Sequence, residues 1–229
     1  MNAASWREYE REVQVRAGGE ILNAILAVPG GARGLVIFAH GSGSGRNSPR
    51  NRYVADQLNK EGIATLLLDL LTEDEEAVDR VNSGMRFDIG LLAKRLIGAT
   101  EWAVRFPATA SLRVGYFGSS TGAAAALVAA AQRPDLVSAV VSRGGRPDLS
   151  SDFLKYVRAP CLFIVGGEDT QVLEMSAQAL ENLRTLKSLV VIPGATHLFP
   201  EPGALDRAAD LAARWFARHL TDVSVDARV

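Results

Sequence analysis

The chain has one cysteine, three histidines and three methionines among 229 residues. A lone Cys161 cannot close an internal disulfide, and its neighbours in C-L-F-I-V place it in a buried strand rather than at a reactive site. Clustered His or Cys ligands are missing, so no metal is expected, and no other cofactor is called for. A dominant charge is missing as well: 25 Lys and Arg against 26 Asp and Glu leave a formal net charge of -1. Without a basic field, neither nucleic acid nor an anionic membrane surface is an expected partner. Long hydrophobic runs are absent; the longest, residues 123–131, is about half of what a membrane helix needs. The first residues, M-N-A-A-S-W-R-E-Y-E-R-E, lack an apolar signal core, so a soluble, cytoplasmic protein is the expectation.

What is present is enough apolar sequence, 48%, to bury one core, and residues 1–229 are read as a single α/β domain. Residues 12–16 and 21–28 alternate about Gly18-Gly19 as an antiparallel hairpin. Apolar runs at 34–39, 63–68, 112–117, 136–141, 161–165 and 189–192 read as buried strands. Between them lie helical stretches: one from Pro49 to Lys60, 89–106 closed by Pro107, an alanine-rich one from 123 to Arg133, 172–183, and 204–219. Residues 72–88 open on a T-E-D-E capping signal and form the one segment able to act as a small lid. The alternation from residue 34 onward predicts a mostly parallel sheet with helices on both faces, preceded by the hairpin.

The run V-G-Y-F-G-S-S-T-G, residues 114–122, is the chemical centre. Strand, G-x-S-x-G and helix in succession are the context of a nucleophile elbow, with Ser120 at the strained turn. A glycine-rich connection without chemistry is the competing reading. A serine hydroxyl needs a base, and the base needs an orienting carboxylate. His197 follows one strand and Asp169 another, so both reach the rim that carries Ser120, in the order Ser, Asp, His expected of this arrangement. Glu168 and Asp69 are alternative acids, and helix capping is the plain role for Asp169. His40 reads as a structural residue of the loop it precedes. His219, at the end of the last helix, reads as a cation facing the helix dipole. Oxyanion donors would be the Thr121 amide and an amide of the loop after Ala39, first Ser42, then Gly41 or Gly43.

Gly118 to Gly122, the His40-Gly41 loop, Gly167-Glu168-Asp169 and Gly194-Ala195-Thr196-His197 together resemble the α/β-hydrolase superfamily, across about residues 20–220. The compact, nearly capless chain is similar to its dienelactone-hydrolase-like branch. That resemblance implies hydrolysis of a small ester or lactone through an acyl-enzyme, although dienelactone hydrolases proper carry a cysteine where this chain has Ser120.

Arg143 and Arg146 follow a strand end, and Arg46, Arg50 and Arg52 lie on or just beyond the glycine loop. Such a grouping suits an anionic substrate, with Arg143, Arg146 and Arg46 as binding candidates; solvated or acid-paired arginines are the alternative. Two rival functions compete with this reading. Gly41-x-Gly43-x-Gly45 with Asp69 beyond suggests nucleotide binding, but Arg46 stands where the third glycine belongs. A non-catalytic binding module is disfavoured because no member of the Ser120, Asp169, His197 set is missing.

Overall fold

The computed structural model describes residues 10–221. Eight strands form one sheet: β1 (Glu10–Ala17), β2 (Glu20–Ala27), β3 (Leu35–Ala39), β4 (Ala64–Leu68), β5 (Val114–Ser119), β6 (Val137–Arg143), β7 (Cys161–Gly166) and β8 (Lys187–Ile192). Their spatial order is β1-β2-β4-β3-β5-β6-β7-β8. The β1/β2 and β2/β4 pairs are antiparallel and every later pair is parallel. Gly18 and Gly19, at φ 61° and 100°, make the β1/β2 turn. Both angles are left-handed, as a two-residue hairpin loop that matches strand twist requires.

Among the described residues five α-helices lie between strands, α1 (Pro49–Lys60), α2 (Glu73–Asn82), α3 (Ile89–Ala103), α4 (Thr121–Gln132) and α5 (Thr170–Asn182), and a sixth, α6 (Ala204–Leu220), follows β8. The pleat sends alternate strand residues to two cores. Leu35, Ile37, Tyr116, Val140 and Phe163 pack with α3, α4 and α5, while Val36, Phe38, Phe117, Val141 and Ile164 pack with α1 and α6. Residues 121–130 of α4 are all buried, which is why that helix is alanine-rich instead of amphipathic. Gly115 lets α6 approach the sheet; a Cβ there would stand 2.8 Å from the Phe216 ring. Buried Tyr116 keeps its hydroxyl satisfied through Thr100 Oγ1 at 2.6 Å, removing the desolvation cost of an orphan polar atom. Among the described residues no helix is long and apolar enough to cross a membrane.

Two departures from the sequence reading bear on the site. Strand β6 runs to Arg143 instead of ending at 141, so Arg143 enters the sheet opposite Ser119 and is only 5% exposed. Residues 72–88 form a docked element, α2 followed by a 3-10 turn at Met85–Phe87. Thr72 and Glu75 exchange the two bonds of a capping box, and Glu75 Oε1 also accepts from Arg95 Nη2 at 2.5 Å. Asp79 accepts from the amides of Met85 and Arg86, at 2.7 and 3.1 Å, and from Arg86 Nε. Both ends of α2 are thus held by carboxylates, which makes it a wall.

Candidate active site

Ser120 joins β5 to α4 at φ 51°, ψ -124°, an unusual conformation for a residue with a side chain. Its neighbours explain how the turn fits. A Cβ on Gly118 would collide with the backbone of Ala123, and one on Gly122 with the carbonyl oxygens of Ala39 and His40. Gly41 is nearly as tight, since a Cβ there would lie 3.0 Å from Ser120 Cβ and 3.2 Å from Ser119 O. The glycine loop after β3 is therefore pressed against the elbow, and the first amides of α4, including Thr121, have no helical carbonyl to bond. Ser42 sits exposed on that loop, next to Gly43 at φ 69°.

On the other side of the elbow, His197 Nδ1 lies 2.6 Å from Asp169 Oδ2. An ionised carboxylate only accepts, so in the neutral ring this contact puts the proton on Nδ1 and leaves the lone pair on Nε2. Asp169 occupies the N-cap position of α5 yet makes no capping bond; its side chain goes to the imidazole. Glu168 is exposed, and its amide bonds Ala195 O at 3.0 Å. Gly144, at φ 52°, lies against the same histidine, with a notional Cβ 3.6 Å from His197 Cε1. Two residues on, Arg146 N donates to Ser120 O at 3.1 Å. The turn after β6 thus touches both the serine and the histidine. Among the described residues the Ser120 hydroxyl has no hydrogen-bond partner.

The remaining histidines are occupied elsewhere. His40 Nε2 accepts from Leu70 N at 3.0 Å, and Nδ1 lies 3.0 Å from Gly41 O. Burial lowers its pKa, against the raising influence of the Gly41 bond and Asp69, so it holds the glycine loop as a neutral strut. His219 packs on Trp215 at 4.6 Å between ring centroids. Burial and then Arg218 lower its pKa, which corrects the expectation of a cation at that helix end. Cys161 is fully buried, its thiol pushed up to about 12 by desolvation, and is no rival nucleophile.

The arginines separate into two groups. Arg46 pairs with Asp69 through both its amide, at 2.6 Å, and its guanidinium. Arg146 holds Asp148 bidentately at 2.9 and 2.7 Å, and Arg52 pairs with Glu10 at 2.7 Å. Arg46 and Arg146 are therefore each paired with a carboxylate, the acid-paired alternative for these two binding candidates. Asp69, an alternative acid and the supposed ribose ligand of a nucleotide site, is taken up by the residue standing in place of the third glycine. Among the described residues Arg143 has no such partner: Nε and Nη1 are inaccessible to solvent and unbonded, and its guanidinium lies 5.8 Å from the ring centres of Phe117 and Phe199.

A cavity of about 740 Å³ opens beside the elbow, between the glycine loop, the end of β4 and α2. It reaches Thr121, Ser42, Arg46 and Arg50, whereas Ser120, Asp169 and His197 are outside its lining. The strand order accounts for this: β4 and β3 stand on one side of β5, and β7 and β8 on the other.

The dienelactone hydrolase family model matches residues 22–221. A solved dienelactone hydrolase from Anabaena variabilis is 58% identical, covering 92% of this chain and 98% of that one with a TM-score of 0.91. The fold also matches Est1E from Butyrivibrio proteoclasticus, at 18% identity over 90% of this chain and 99% of that one, with a TM-score of 0.73. Two curated proteins from strains of Mycobacterium tuberculosis, each named "Putative phosphoribosyl transferase", are 56% identical over 211 residues, 92% of this chain. The chain spans about half the length of these curated relatives, 47%. With the family model spanning the sheet from β2 to the end of α6, and with an elbow and an Asp–His pair on the rim of that sheet, the chain belongs to the dienelactone hydrolase family.

Proposed function

We propose that the protein is a serine hydrolase of small carboxylic esters or lactones. The observation that carries this reading is the 2.6 Å Asp169–His197 pair on the same sheet rim as Ser120, itself held at φ 51°. Ser120 Oγ attacks the carbonyl carbon while His197 Nε2 takes its proton, and Asp169 holds the tautomer and stabilises the imidazolium. The negative charge that develops on the carbonyl oxygen is met by the Thr121 amide and an amide of the glycine loop, Ser42 first. His197 then protonates the departing alkoxide. In the second half-reaction it deprotonates water, which attacks the acyl-serine ester, releases the acid and restores Ser120.

No step calls for a metal or cofactor. The transferase name belongs to proteins about twice the length matched here, and the matched stretch is the one that carries the elbow, so the reading follows the hydrolase family. A fluorophosphonate probe tests it directly. Intact-mass analysis is expected to show one adduct on the wild type and none on Ser120→Ala. An unlabelled wild type, or a Ser120→Ala protein that still reacts, overturns the assignment.

A further inference from the structure

The end of the sheet opposite the reactive rim holds a second cavity, of about 480 Å³. Its walls are the last turn of α4 with Pro134, residues 155–158 leading into β7, and Arg184-Thr185 leading into β8. These are the far ends of the three elements whose near ends adjoin Ser120 or lead on to Asp169 and His197. The six residues of β7, at about 3.3 Å each, put roughly 20 Å between this cavity and the rim, so the two places are separate.

Lys155, Arg158 and Arg184 line this cavity, and no carboxylate does. All three are exposed, and among the described residues none makes an ion pair, whereas Arg46, Arg52, Arg86, Arg95, Arg133 and Arg146 each close on an acid. Asp135, beside Pro134 in the chain, is taken up by Arg133 Nη2 at 3.0 Å. Asp152 and Glu181, three positions from Lys155 and from Arg184, pair with neither. A cation just past a helix C-terminus is ordinarily explained by the dipole, but at α5 that role belongs to Lys187, whose Nζ donates to Leu180 O and Leu183 O at 2.5 and 2.8 Å. Arg184 is left over. Its loop is stitched to that of Arg158: Thr185 Oγ1 donates to Arg158 O at 2.7 Å, and Cys161 N to Leu186 O at 2.9 Å. Both guanidinium groups therefore start from one fixed frame. Tyr156, 57% exposed, carries Lys155 Nζ 5.0 Å from its ring centre, and Ala131, Pro134 and Val157 complete an apolar lining.

We infer that this distal cavity binds an organic phosphate, a phosphate monoester whose body rests on the apolar lining. Three unpaired positive charges exceed what one carboxylate balances; a phosphate monoester brings close to two negative charges and three acceptor oxygens. Guanidinium forks meet such oxygens two at a time, and the lysine adds a point charge. The volume lies in the range of small-ligand sites and exceeds what a phosphate group alone would fill, which leaves the lining for an organic body. The inference does not rest on the ester-hydrolase reading, which labelling of Ser120 tests separately.

The test is calorimetric titration of the full chain at pH 7.5 with phenyl phosphate, benzoate and phenol, which share a ring and differ in charge, and with inorganic phosphate, which lacks the ring. Phenyl phosphate is expected to bind about tenfold or more tighter than benzoate and several-fold tighter than inorganic phosphate, with no heat from phenol. Arg158→Gln and Arg184→Gln, both at exposed positions, are each expected to weaken phenyl phosphate about tenfold with unchanged circular dichroism, and Arg50→Gln, in the other cavity, to leave it unaltered. Absence of phenyl phosphate binding overturns the site. So does binding indifferent to Arg158→Gln and Arg184→Gln, and a loss confined to Arg50→Gln would move the anion to the reactive rim. Benzoate equal to phenyl phosphate overturns the phosphate class, and inorganic phosphate equal to phenyl phosphate overturns the organic body.

Discussion

The two flanks of the elbow handle charge in opposite ways. On the β3–β4 side, Arg46 closes on Asp69, Arg86 on Asp79 and Arg95 on Glu75, and these pairs also tie backbone: the Arg46 amide, the Met85 amide and the Ala17 carbonyl. Such groups are structural, since breaking one leaves its partner desolvated. On the β6–β8 side, Asp169 has left its helix cap for the half-exposed His197, and Arg143 is unpaired and buried. Satisfied charge builds the wall of the cavity. On this second flank Arg146 still closes on Asp148, so the buried charge left available there is that of Arg143, on the side of the elbow where the chemistry is proposed.

The comparison breaks most sharply if the flanks prove interchangeable in function. Ser120→Ala and His197→Ala are each expected to lower kcat for p-nitrophenyl acetate by about 10⁴ to 10⁶, with unchanged circular dichroism, because members of a triad act as a unit. Asp169→Asn is expected to cost about 10⁴ through the wrong imidazole tautomer. Exposed Glu168, mutated to Gln, should stay within about twofold of wild type. A crippled Glu168→Gln beside a healthy Asp169→Asn would reassign the acid.

Next in size is the junction between the flanks, where Gly122 lets α4 pass the ends of β3. A Cβ there meets main-chain carbonyls, which cannot swing aside as a flexible side chain can. Gly122→Ala is therefore expected to destabilise by about 3 kcal/mol, the upper part of the overpacking range, read from urea denaturation. Gly43→Ala is the control: a Cβ there meets nothing within 4 Å, and only its φ of 69° resists the change. About 1 kcal/mol is expected. Equal costs at the two glycines would show that backbone conformation, and not contact, governs this junction.

Local signals in the sequence carried far. Pro49 to Lys60 is a helix with those limits, the T-x-x-E box caps α2, and each apolar run became a strand of the sheet. Each of these depends on neighbours within a few residues. What was not legible depends on register. Arg46 meets Asp69 across 23 positions because β3 and β4 end side by side, and no periodicity announces that. Arg143 is buried because β6 continues for two residues beyond its apolar run, carried by pairing with Ser119 and Ile164. The five arginines near one rim were visible in sequence, but their division into paired and unpaired members comes from which carboxylates the topology brings within reach. His219 shows the same limit: helix position suggested a cation, whereas packing against Trp215 and the nearby Arg218 disfavour one.

The smallest expected effect is the pH dependence that His40 brings. His40 accepts the Leu70 amide through Nε2, a bond that only the neutral ring can make, and burial lowers its pKa below the ordinary 6.5. A lowered folded value means that the unfolded chain binds the proton more readily, so stability rises with pH across this window. The His40 contribution is complete above about pH 6.5 and is lost as the pH falls from there towards the folded value. His219, also lowered but less buried, adds a weaker slope of the same sign. Urea denaturation at pH 7.5 and pH 5.5 is therefore expected to show wild type losing more stability on acidification than His40→Gln, whose amide can still accept from Leu70 and does not titrate. A wild-type slope that survives unchanged in His40→Gln would show that the ring between Leu70 and Gly41 is not the group whose protonation costs stability.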